Sequence, residues 1–133
     1  MEDSIFTKII KGEIPCNKIY EDGNCIAFLD IYPSEEGHTL VVPKKQVDKI
    51  YDLSDEDYVN LWAVAKKLAV HFEAKTGFRT IFKVIGLDVP HAHIHVIPYN
   101  PANHQDHAAK QNAKMSAEPD YEALATVAAK LAL

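Results

Sequence analysis

Three histidines spaced two apart, in the run His91-Ala92-His93-Ile94-His95, are the residues of this chain best suited to chemistry. On an extended strand alternate side chains share a face, so the three imidazoles point one way while Ala92, Ile94 and Val96 point the other. Neighbouring rings are then about 6–7 Å apart along the backbone, and one small ligand or one hydrogen-bond chain can touch two or three of them. With 7 histidines in 133 residues, chance would produce this spacing in roughly one such chain in fifty.

Three readings of the run compete. The rings could simply be satisfied on a solvated strand, although three aligned ionisable groups are a poor choice for packing. They could begin a zinc site, with His38 or an acid as a further ligand. They could form a nucleophile and proton-relay row, because a neutral imidazole nitrogen attacks well near neutral pH and its neighbours can give or take protons. The third is favoured.

The elements that must position the row are legible in outline. Ser4 can N-cap a short helix over Ile5–Ile10, with Gly12 beyond its end. Lys18–Tyr20 and Asn24–Leu29 read as two antiparallel strands joined at Asp22-Gly23, a dipeptide that tolerates positive φ. After a loop from Pro33 to Gly37, His38–Val42 reads as a third strand that Pro43 stops. Ser54 can cap a long helix over Asp55–Thr76, with Tyr58, Leu61, Trp62, Ala65, Leu68, Ala69 and Phe72 on one face and Gly77 after it. His71 falls off that stripe and is expected to be exposed and without function.

Arg79–Ile85 and Pro90–Ile97 read as two further strands, joined as a hairpin by Gly86–Val89. Tyr99–Pro119 is polar and reads as loop and frayed helix, with His104 and His107 in solvent. Asp120–Leu131 carries a second helical stripe, Tyr121, Leu124, Val127, Ala128 and Leu131. The expected fold is α+β: a five-stranded antiparallel sheet, a long helix packed on it, and short helices at both ends.

Composition narrows the function classes. A chain of 133 residues with 47% hydrophobic content suits one compact domain. A formal charge of −5, from 14 basic against 19 acidic residues, argues against a partner as polyanionic as a nucleic-acid backbone. A small anion remains compatible, since a pocket can be locally positive. No apolar run approaches the roughly 20 residues that cross a bilayer, and Met1-Glu2-Asp3-Ser4 has no features of an export signal. The expected compartment is the cytoplasm, with Cys16 and Cys25 as free thiols.

The run His91-Ala92-His93-Ile94-His95-Val96-Ile97 resembles the signature of the histidine-triad family. Three more segments resemble it in the same order: Ile5–Pro15 its opening helix and turn, Ala27–Ile31 its ribose-contacting strand end, and Gly37–Lys44 its central strand. The resemblance covers Ser4 to about Pro98, so residues 1–100 are expected to form the family's domain and residues 101–133 an extension whose helix packs on it. It implies that His93 attacks the α-phosphorus of a small nucleoside phosphate derivative, a phosphoramidate or adenylate, forming a nucleotidyl-histidine that water hydrolyses. His95 would contact the phosphate and the departing group, and His91 and His38 would hold the His93 ring. Ile5, Phe6, Ile9, Phe28, Leu29, Ile31 and Leu40 would wall the base and Asp30 would accept from the ribose hydroxyls. A homodimer with sheets joined across the interface, the Trp62 helix contributing, is also implied.

The chain departs from the family pattern in two places. The polar, glycine-rich loop before the triad is reduced to Val84–Pro90, which leaves Asp88 and Val89 beside the phosphates and Asp88 where a hydroxyl is usual. A nucleotide-binding protein with little turnover is therefore the second reading. Ser4, Thr7 and Gln46 stand where zinc-containing members carry two cysteines and a histidine, so no metal and no other cofactor is expected.

Overall fold

The computed structural model describes residues 2–103 and 118–133. His104, His107 and most of the polar excursion lie outside them.

Local chemistry sets the elements. Ser4 accepts from the Thr7 amide at 3.0 Å and starts α1, Ile5–Ile10, after which Gly12 takes φ +81°. Ser54 does the same for Asp57 at the head of α2, Asp55–Thr76, and Gly77 closes it at φ +76°. Both ends match the expected caps, because N-cap oxygens and left-handed glycines are specified by single residues.

Five strands, β1 (Lys18–Glu21), β2 (Cys25–Leu29), β3 (Thr39–Pro43), β4 (Thr80–Lys83) and β5 (Ile94–Pro98), form one antiparallel sheet in the order β1-β2-β3-β5-β4. The β1–β2 turn is built differently from expectation. Gly23 is not among the positive-φ glycines, and the Asp22 carboxylate instead accepts from the Asn24 and Cys25 amides, both at 2.8 Å.

The last two strands are shorter than the periodicity suggests. Pro90 has no amide to give a ladder, the Ala92 amide turns to the Val47 carbonyl at 2.7 Å, and the His91 amide bonds Val89 at 2.8 Å. His91 and His93 therefore precede β5 on irregular backbone, and only His95 sits within a strand. The β4–β5 pair is a hairpin, as expected, with a longer connection.

One face of the sheet is closed. Ala27, Val41, Ile94 and Val96 pack against Leu61, Ala65, Leu68 and Phe72 of α2, and against Leu124, Ala128 and Leu131 of α3, Tyr121–Leu131. Asp120 caps α3 by accepting from the Ala123 amide at 3.0 Å. His71 is half-buried where exposure was expected: its Nε2 lies 2.9 Å from the Leu131 carbonyl, at the last turn of α3. That contact exists only because α3 docks there, so the α2 stripe alone could not announce it. Gly37 holds φ +91°, and a Cβ there would meet Leu131 Cδ1 at 2.9 Å, so both conformation and space require glycine. No described helix is long and apolar enough to cross a membrane.

Candidate active site

The other face of the sheet is open. Phe6 of α1 joins Ile26, Phe28, Leu40 and Val42 in a small apolar cluster, and beside it lies a cavity of about 710 Å³, within the range of small-molecule sites. Its walls bring together Ile5, Phe6, Ile9, Phe28, Leu29, Asp30, Ile31, Leu40, Asp88 and Val89 with His93 and His95. The fully buried His38 and His91 do not line it; they stand behind the two rings that do.

The hydrogen bonds fix which nitrogen of each ring carries the proton. His93 Nδ1 lies 2.7 Å from the His91 carbonyl, which can only accept, so Nδ1 donates and the neutral ring keeps its lone pair on Nε2. The Ser34 amide donates to His38 Nδ1 at 3.0 Å, which places the His38 proton on Nε2. That nitrogen is 2.8 Å from His95 Nδ1 and donates to it, leaving the His95 proton on Nε2. Two backbone groups thus specify a lone pair on His93 and a donor on His95.

The roles expected of the two rear histidines are distributed otherwise in this geometry. The main chain of His91 holds the His93 ring, while the His91 imidazole turns away, its Nε2 donating to the Pro43 carbonyl at 2.7 Å and its Nδ1 accepting from Ser4 Oγ at 2.7 Å. His38 pairs with His95 instead of His93. The Phe6 ring stands edge-on to His93 at 5.0 Å between centroids and limits its rotation.

Burial sets the charge state. Desolvation holds His91 and His93 below the ordinary histidine value; at His93 the His91 carbonyl and the Asp88 carboxylate partly oppose it. His95 is pushed down to about 3 by desolvation, then by His93 and by Lys83. All three rings are neutral at pH 7, as attack by a lone pair requires.

Asp30 does two things at once. Its Oδ1 accepts from the Tyr32 amide at 2.8 Å, a loop-capping contact, and its Oδ2 lies 3.6 Å from His38 Nε2. Donor atoms of Asp30, His38 and His95 lie within 4.8 Å of one another, but a metal there would cost the His38–His95 hydrogen bond. Ser4, Thr7, Gln46 and His91 also converge: Thr7 Oγ1 donates to Gln46 Oε1 at 2.6 Å, and the Ser4 amide to the same oxygen at 2.8 Å. Two hydroxyls and an amide do not fit a structural zinc, which wants thiolates and imidazoles.

Sequence reasoning missed Lys83 and Tyr121, both on the cavity wall. Lys83 could have been found from the β4–β5 register had the strand ends been known. Tyr121 had no local signal, since α3 reaches the cavity through its docking alone.

A family model for the HIT domain matches residues 11–102. The chain is 40% identical over 96 residues to an adenosine 5′-monophosphoramidase of Schizosaccharomyces pombe, covering 71% of this chain and 72% of that protein. It is 43% identical over 100 residues to a HIT-like protein of Methanocaldococcus jannaschii, covering 71% and 77%. Among solved structures, a Hit-like protein of Bartonella henselae superposes with a TM-score of 0.79 at 28% identity, over 97% of this chain and 94% of that one.

Proposed function

The chain belongs to the HIT, or histidine-triad, family, and from that premise we propose that it is a nucleotidyl hydrolase or transferase working through a nucleotidyl-His93 intermediate. Its substrates are small nucleoside phosphate derivatives, phosphoramidates or adenylates; the name of the Schizosaccharomyces pombe relative, an adenosine 5′-monophosphoramidase, supports the phosphoramidates. The observation that carries this reading is the pair of backbone-fixed tautomers on the cavity wall, a lone pair on His93 Nε2 beside a proton on His95 Nε2.

The step follows from those positions. The bond from His93 Nε2 to the α-phosphorus forms as the bond from phosphorus to the leaving group breaks, and the electron pair departs with that group. The ring becomes positive, which strengthens the Nδ1–H bond to the His91 carbonyl, while His95 Nε2–H donates to the departing atom. Water then displaces the histidine from phosphorus and releases the nucleoside monophosphate. His38, His91 and Asp30 act through the rings they hold and, for Asp30, through the ribose hydroxyls. Ile5, Phe6, Ile9, Phe28, Leu29, Ile31 and Leu40 take the base, and Asp88 and Val89 border the phosphate.

The protein works in the cytoplasm as a homodimer in this reading. The edge strand β4 and the neighbouring Tyr58, Val59 and Phe82, which are 44%, 63% and 41% exposed, favour a shared sheet edge. Sedimentation at the monomer mass would remove the dimer alone. For the chemistry, mass spectrometry after mixing with adenosine 5′-phosphoramidate should find an adenylyl adduct on His93. His93→Ala should abolish it and lower turnover by about 10³-fold or more. Nucleotide binding by the native chain with no adduct and no turnover would select the binding-protein reading, which the Asp88 carboxylate on the cavity wall favours.

A further inference from the structure

One row of side chains crosses the open face of the sheet. Phe28 pairs with Leu40, Leu40 with His95, and His95 with Lys83, through β2, β3, β5 and β4. Directly paired residues on antiparallel strands share a face, and neighbouring strands are about 4.8 Å apart. The row therefore runs from an apolar slot, through a histidine, to a cation one strand beyond it.

Among the described residues this cation has nothing to bind. Lys83 Nζ is buried without a hydrogen-bond partner among the described residues, and no ion pair joins it to Asp88 or any other described carboxylate. A buried, unpaired ammonium is unfavourable for folding, and none of the described residues pairs this one, so on a cavity wall it is suited to meet a bound anion. Asp88 does not supply that charge, being exposed on the loop beside His93.

We propose that Lys83 is a specificity-determining residue that holds an anionic group attached beyond the α-phosphate, so that the site selects leaving groups that depart as anions, such as carboxylates and phosphates. The assignment rests on the reading of the cavity as a nucleotide site. With the base among Phe28 and Leu40 and the α-phosphate at His93 and His95, the next group along the row falls at Lys83. When the P–O bond breaks, the electron pair stays on the leaving oxygen and the ammonium stabilises the resulting charge without a proton transfer. An uncharged amine gains nothing from Lys83, and it must be protonated as it leaves.

The test compares native protein with Lys83→Gln and Lys83→Arg. Calorimetric titration with adenosine 5′-(α,β-methylene)diphosphate and with adenosine 5′-monophosphate reads the site without turnover. Lys83→Gln should weaken the first about tenfold and the second less than threefold, and Lys83→Arg, which keeps the charge, should stay near native. In kinetics, Lys83→Gln should lower kcat/KM for acetyl adenylate about tenfold more than for adenosine 5′-phosphoramidate. Equal losses for both ligands, or no loss, would overturn the assignment. If His93 forms no adduct, the hydrolase reading fails while the binding comparison still decides the role of Lys83.

Discussion

The two faces of one sheet are organised on opposite principles. On the closed face the inward side chains are largely apolar, with the buried Thr39 among them, and α2 and α3 cover it: Leu61, Leu68, Phe72, Ile94 and Val96 are at most 1% exposed. The open face mixes a few aromatic and aliphatic residues with four buried histidines and a lysine that has no hydrogen-bond partner among the described residues. The first face stabilises, and the second spends part of that stability on desolvated polar groups kept ready for a ligand. Alternation along β-strands lets one chain do both, since consecutive residues serve opposite faces.

That contrast can be broken by mutation. Phe72→Ala, in the closed core, should cost about 3–5 kcal/mol, while Leu40→Ala, which borders the cavity, should fall at the low end for such truncations, about 2 kcal/mol. Urea titration reads both, and equal losses would mean that the faces are packed alike. Gly37→Ala should come next, because it adds a Cβ against Leu131 at positive φ; a loss of about 1–3 kcal/mol is expected in the same titration.

Acid should weaken the open face specifically. His91, His93 and His95 are held low in the folded chain and return to about 6.5 on unfolding. Below that pH the unfolded state binds more protons, so stability is full above it and falls as pH drops toward the folded values. Urea midpoints at pH 7.5 and 5.5 should differ in that sense, and a flat response would show that the rings are not desolvated. The nucleophile itself is held below the ordinary histidine value, so turnover should persist to lower pH than a free imidazole would allow. Ser4→Ala should have the smallest effect, about 1–2 kcal/mol, by removing the α1 cap and the donor to His91 together.

Much of this arrangement was legible before any coordinates. The caps at Ser4, Ser54 and Gly77 and the α2 period announce themselves because each depends on neighbours in sequence. The histidine spacing marked the site, although His91 and His93 lie before β5 instead of within it. Pro90 was in view, but where the His91 and Ala92 amides would go was not, since Val47 is 45 residues away from Ala92 in the chain.

The sequence by itself determined the elements, the sheet's apolar alternation and the presence of imidazoles in a row, since these follow from local periodicity and single-residue chemistry. Tertiary structure alone decided which nitrogen carries each proton, why His38 serves His95, how Tyr121 reaches the cavity and where Lys83 stands. Each of those depends on pairing or docking between distant segments, and a hydrogen-bond partner supplied by another strand leaves no periodicity in the residue it orients.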